Sequence, residues 1–173
     1  MKSLSAWERI TIARSQNRLK ALDLIPYLFD HFVELHGDRA YGDDPHNVAR
    51  VASALARGMA RAGVLTCAKH FPGHGNTTAD SHLQLPLAQY SLQQLHDHSL
   101  PPFAQLIYQG LSAIMTGHLL VPELDAQRPT SLSYPCVTTL LQKTLAFQGI
   151  CITDALNMGA ITEQYTTRDA VVQ

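Results

Sequence analysis

Three short apolar runs, at 64–68, 113–116 and 150–153, each follow a stretch of helical periodicity, and they constrain this chain more than any other feature. Runs of four or five apolar residues are too short for buried helices, and glycines beside them (Gly63, Gly73, Gly117 and Gly149) punctuate them as strands. Strand alternating with helix at this spacing favours parallel strands over hairpins. It predicts a parallel sheet with helices packed on it, an α/β fold. Ligands in such folds bind at the C-terminal ends of the strands, where loops vary over a rigid sheet.

The helical stretches can be placed from their apolar spacing and their punctuation. Val48, Val51, Ala52, Leu55, Met59 and Ala60 recur at three and four residues, with Asp44 before them as N-cap and Gly63 after them as the stop. Two helices are expected over 92–98 and 102–110, the second with Phe103, Leu106 and Ile107 on one face, and another over 134–147 stopped by Gly149. Residues 159–173 begin one more. At the amino terminus, 4–20 reads as an amphipathic helix with Ser5 as N-cap and Glu8 three residues on, and 21–36 repeats the signal.

Chemistry concentrates after the first strand. Lys69-His70-Phe71-Pro72-Gly73-His74-Gly75-Asn76-Thr77-Thr78-Ala79-Asp80-Ser81-His82 places three of its histidines, a lysine and an aspartate in a glycine-bearing loop. His82 can give or take a proton near neutral pH, and Asp80, two residues earlier, is close enough to fix its tautomer. Lys69 and His70, at the strand's end, are placed to donate hydrogen bonds to a polar ligand. Solvated loop histidines are the plain alternative. The third strand runs into Asp154, a carboxylate facing the same rim, which makes a nucleophile and a proton donor on two sides of a substrate. Asp154 could equally cap a following helix. His118, two residues past the second strand, reads as structural or as a further rim residue. A zinc site from His70, His74, Asp80 and His82 is a competing reading, although the spacing fits no zinc motif.

Composition narrows the partners. A net charge of -1 with 9 histidines gives no reason to expect nucleic acid or an anionic membrane. Cys67, Cys136 and Cys151 read as buried thiols in a reducing compartment. No stretch is apolar enough to span a bilayer and the amino terminus lacks a signal peptide's apolar core, so the chain is expected to be cytoplasmic.

Taken together, Lys69-His70-Phe71-Pro72-Gly73-His74-Gly75, Asp80-Ser81-His82, Pro86 and Thr153-Asp154-Ala155-Leu156-Asn157-Met158 resemble the family 3 glycoside hydrolases of the β-N-acetylglucosaminidase type. Ala113-Ile114-Met115-Thr116-Gly117-His118 and Pro129-Thr130-Ser131-Leu132-Ser133 match the same pattern in order. The resemblance implies Asp154 as catalytic nucleophile, His82 held by Asp80 as general acid/base, and Lys69, His70, Arg39 and Met158 lining a sugar pocket. It also implies retaining hydrolysis of a carbohydrate containing N-acetylglucosamine, with no metal and no cofactor. The fold it implies is part of a (β/α)8 TIM-type barrel over residues 39–173.

The first 38 residues look different. Trp7-Glu8-Arg9, Ile12-Ala13-Arg14, Ala21-Leu22-Asp23 and Phe32-Val33-Glu34-Leu35-His36-Gly37-Asp38-Arg39 resemble the start of the acetyl-CoA carboxylase carboxyltransferase α subunit. That subunit's crotonase-like catalytic core has no counterpart downstream, so carboxyl transfer is not expected. The two resemblances meet at 37–45, where Arg39 reads either as a sugar-binding arginine or as an ordinary turn residue. A complete barrel takes about 250 residues. Residues 39–173 would hold only three of its strands, leaving two open edges and an uncovered inner face. The amino-terminal helices or a second copy of the chain are the expected covers, and weak or absent activity is expected of the incomplete barrel. The alternative is a non-catalytic protein that binds a partner through its helical amino terminus.

Overall fold

A computed structural model describes residues 44–74, 77, 81 and 83–172. The helices expected over 4–20 and 21–36 lie outside the described residues, as do Arg39, Asp80 and His82.

The first described element, α1 (Pro45–Arg61), begins as its sequence dictates. The Asp44 side chain accepts from the His46 N–H at 2.9 Å and Pro45 occupies the first turn, where its missing N–H costs nothing. Ala62 and Gly63 end the helix, Gly63 with a φ of 77°. Strand β1 (Cys67–Phe71) follows, then α2 (Leu92–Gln94), a π-helical turn at Leu95–Ser99 and α3 (Leu100–Tyr108). Beyond these come β2 (Ala113–Thr116), a 3-10 turn at Thr130–Leu132, a π-helical segment at Pro135–Thr144, β3 (Ile150–Thr153), α4 (Gly159–Thr162) and α5 (Thr167–Val172).

Where two helices were expected over 92–110, one helical path runs unbroken from Leu92 to Tyr108. Prolines inside a helix remove a hydrogen bond and clash with the carbonyl four residues back. Here the path widens before them: the Leu100 N–H donates to the Leu95 carbonyl five residues back, and Pro101 and Pro102 fall in the first turn of α3. The helix expected over 134–147 ends at Thr144, and the chain turns at Ala146, which has a φ of 55°. Gly149 is therefore not the helix stop. It is a close approach, since a Cβ there would stand 2.6 Å from the Ser112 carbonyl oxygen and 2.6 Å from the Phe147 ring.

The three strands form one parallel sheet in the order β1-β2-β3. Strands β2 and β3 occupy the expected residues, whereas β1 lies three residues later than the expected 64–68. The ladder starts where the Ala113 N–H reaches the Thr66 carbonyl at 3.1 Å, and upstream of it Val64 and Leu65 are exposed, Leu65 to 77%. Apolarity drew the run, but pairing sets the strand.

Register sorts the sheet into two faces. Ala68, Ile114 and Cys151 form one cross-strand row and pack into a core with Phe71, Leu95, Phe103, Leu141 and Phe147. The rows Cys67, Ala113, Ile150 and Lys69, Met115, Ile152 line the opposite face, where Ile150 is 58% exposed. Cys67 is exposed on that face rather than buried; Cys136 is buried and Cys151 half-buried, and all three are free thiols. Burial pushes the Cys136 thiol strongly up. Among the described residues, no helix is long and apolar enough to cross a membrane.

Candidate active site

The C-terminal ends of the three strands bring His70 and Asp154 to one rim, with His118 buried close by. Asp154 continues directly from β3, and its N–H donates to the Thr116 carbonyl at the end of β2 at 2.9 Å. Its carboxylate is held on both oxygens: the Ala155 N–H donates to Oδ1 at 2.8 Å, and His70 Nε2 lies 3.3 Å from Oδ2. Asp154 is not a helix cap. The next helix, α4, starts at Gly159 with Met158 in the cap position.

His70 reaches Asp154 because β1 carries a bulge. Lys69 pairs with Met115 and Phe71 pairs with Thr116, so two steps along β1 match one along β2 and His70 is the residue left over. A bulge re-aims the side chain at its crest. Phe71 consequently turns into the core, against Phe103 with ring centroids 5.2 Å apart, while His70 leans over the rim. The space His70 occupies exists because residue 117 is glycine, where a Cβ would come within 3.0 Å of the His70 Cβ. Partial burial lowers the His70 pKa from its ordinary 6.5, Lys69 lowers it further, and the Asp154 carboxylate only partly opposes them. The imidazole beside Asp154 is thus neutral at pH 7.

The loop after β1 is tied down near both ends. The Tyr90 hydroxyl donates to the Gly73 carbonyl at 2.9 Å. His74 lies edge-on to His70, with ring centroids 5.8 Å apart; its Nδ1 is 2.7 Å from Thr77 Oγ1 and its Nε2 3.3 Å from Ser81 Oγ. The Ser81 carbonyl accepts from the Ala160 N–H of α4 at 3.3 Å, which joins this loop to the segment following Asp154. Burial pushes the Tyr90 hydroxyl up to about 12, so it stays a donor at any physiological pH.

Of the residues singled out from sequence, His70 and Asp154 are brought together. Lys69 is exposed on the open face, in register with Met115 and Ile152. Met158 is buried, 5% exposed, at the start of α4. Arg39, Asp80 and His82 lie outside the described residues, as do two members of the alternative metal set. Among the described residues, no three His, Cys, Asp or Glu side chains gather to hold an ion.

The sequence reading gave the pair Thr130-Ser131 no role. Ser131 Oγ lies 2.7 Å from Nδ1 of the fully buried His118, whose Nε2 lies 3.1 Å from the Ala155 carbonyl oxygen. The signal available was the hydroxyl pair between Pro129 and Leu132, which spacing alone could not connect to His118.

The comparisons with known proteins give the family. The profile of the family described as "Glycosyl hydrolase family 3 N terminal domain" matches residues 31–173. A beta-hexosaminidase of Chromobacterium violaceum is 39% identical over 122 residues, covering 70% of this chain and 34% of its own length. A glycoside hydrolase family 3 beta-N-acetylglucosaminidase from Paenibacillus superposes with a TM-score of 0.74 at 38% identity, over 76% of this chain and 25% of its own. NagZ from Neisseria gonorrhoeae, in complex with N-trifluoroacetyl-D-glucosamine, superposes with a TM-score of 0.65 at 36% identity, over 75% of this chain and 37% of its own. This chain therefore spans about a third of the curated relative's length.

Proposed function

Because this chain belongs to glycosyl hydrolase family 3, through its N-terminal domain, we propose that it hydrolyses terminal N-acetyl-β-glucosaminides with retention of configuration. The observation that carries this reading is Asp154 at the end of β3, its Oδ1 tied to the Ala155 N–H and its Oδ2 left beside a neutral His70. A nucleophilic carboxylate must be ionised and aimed. A backbone donor on one oxygen and an uncharged imidazole near the other allow both.

In the proposed reaction Asp154 Oδ2 attacks the anomeric carbon while His82, oriented by Asp80, gives its proton to the leaving oxygen. His82 then takes a proton from water, whose oxygen displaces Asp154 and releases the sugar. Two carboxyl groups in this role stand about 5–5.5 Å apart, and the imidazole needs an equally close approach. The tethering of Ser81, the neighbour of both Asp80 and His82 in sequence, to His74 and Ala160 supports such an approach. Lys69, His70, Arg39 and Met158 are the proposed sugar contacts.

The parallel sheet is a portion of a (β/α)8 barrel, and a second copy of the chain covers its open face. The resemblance of residues 1–38 to the carboxyltransferase α subunit suggests a separate amino-terminal segment, whose last residues overlap the hydrolase family match that begins at residue 31. The partner is a carbohydrate, a muropeptide of peptidoglycan recycling being one candidate, handled in the cytoplasm without nucleic acid or membrane. The test is incubation with an aryl N-acetyl-β-glucosaminide. Release of the aryl alcohol above an Asp154→Ala control supports the reading, and release no greater than that control rejects it for this chain.

A further inference from the structure

We propose that His118 is a positioning residue for Asp154: braced by Ser131, it grips the Ala155 carbonyl and so fixes Ala155, the residue whose N–H orients the carboxylate. The inference rests on the reading of Asp154 as the nucleophile, and its geometry can be tested apart from that reading.

The tautomer follows from the partners. The Ala155 carbonyl oxygen can only accept, so His118 Nε2 carries the proton and donates across 3.1 Å. In the neutral ring Nδ1 is then an acceptor, and the Ser131 hydroxyl donates to it at 2.7 Å. Both ring nitrogens are satisfied, as a fully buried imidazole requires. Burial also lowers the His118 pKa from the ordinary 6.5, which keeps the ring neutral.

The brace itself is fixed. Ser131 belongs to the 3-10 turn Thr130–Leu132, and Thr130 clips that turn to the end of β2: its hydroxyl donates to the Gly117 carbonyl at 2.8 Å and its N–H to the Leu119 carbonyl at 2.7 Å. At the other end, Ala155 is held at both of its backbone groups. Its N–H donates to Asp154 Oδ1, and its carbonyl accepts from His118 and from the Met158 N–H at 3.1 Å. Rotation of this segment would carry the N–H off Oδ1, and the His118 contact opposes that rotation from inside the protein. His118 is fully buried with both ring nitrogens bonded to protein, so its effect on Asp154 passes through Ala155.

The experiment compares hydrogen exchange of the Ala155 amide with that of the β2 amide of Ile114 in the full chain, for wild type, His118→Asn, His118→Gln and Ser131→Ala. Gln extends a donor to roughly the place of Nε2, whereas Asn falls short. We expect His118→Asn to speed Ala155 exchange about tenfold relative to Ile114, with His118→Gln close to wild type and Ser131→Ala between. With the aryl glycoside, His118→Asn should lower kcat about tenfold or more while KM stays nearly constant, and His118→Gln should restore kcat. Should His118→Asn fail to fold, Ser131→Ala carries the same comparison. Exchange at Ala155 and Ile114 rising in step, or no change at Ala155, would overturn the proposal. A wild-type chain without turnover would count against the hydrolase reading alone, since the exchange ratio still decides whether His118 orients Asp154.

Discussion

His70 and His118 both sit at strand ends and both address the residues around Asp154, yet one meets the carboxylate and the other the following backbone carbonyl. His70 approaches the carboxylate itself from a half-open rim, its side chain 26% exposed, on the crest of a bulge. His118 approaches the following carbonyl from the closed interior, with both nitrogens bonded to protein. The difference teaches that an imidazole's job is set by what its second nitrogen meets. A ring with both nitrogens engaged is a strut, while one still open toward the rim remains free to meet a ligand.

Substitutions can break that comparison. The largest effect is expected at the group between the two rings: Asp154→Ala should cut hydrolysis of an aryl N-acetyl-β-glucosaminide by roughly a thousandfold or more, measured as initial rates. His70→Ala comes next, with kcat/KM lowered about a hundredfold and the melting temperature nearly unchanged, because the lost contacts are electrostatic and half-exposed. His118→Phe should do the reverse at the level of stability. It leaves the buried Ser131 hydroxyl without its partner and should cost about 1–3 kcal/mol in denaturant unfolding. If both histidine variants lost activity and stability in the same proportion, the distinction between rim and strut would fall.

Gly117→Ala sharpens the comparison, since residue 117 stands beside both histidines. Its new Cβ would press on the His70 Cβ at 3.0 Å, so the expected result is a lowered kcat/KM with a stability cost of about 1 kcal/mol. The smallest effect is that of pH. Both imidazoles bind protons less readily in the folded chain than in the unfolded one, so their contribution is complete above the ordinary value of 6.5 and is lost as pH falls through their lower folded values. Thermal unfolding at about pH 5.5 and about pH 7.5 should show the acid sample less stable, with part of that difference missing in His118→Asn.

Much of this was legible in the amino-acid order, and the remainder depended on pairing. Strands β2 and β3 stand where the apolar runs put them, and Asp44 caps the helix that its position announces. The first strand slid because Val64 and Leu65 are as apolar as a strand requires but have no place in the ladder. Asp154 was recognisable as a strand-end carboxylate. The contact of His70 with it depends on a bulge, which is a relation between two strands and leaves no mark in either one alone. The bond between His118 and Ser131 joins residues 13 positions apart in the chain, a separation that only the folded turn at Thr130–Leu132 closes. The apolar neighbours of Cys67 predict a buried thiol, whereas it lies on the sheet's exposed face.

The most direct trial of the central assignment is covalent trapping. Incubation with a 5-fluoro N-acetylglucosaminyl fluoride, which forms its glycosyl ester faster than water removes it, should add one sugar residue to the peptide containing Asp154, as read by mass spectrometry. A sugar found on another residue, or the same adduct in Asp154→Ala, would contradict the account.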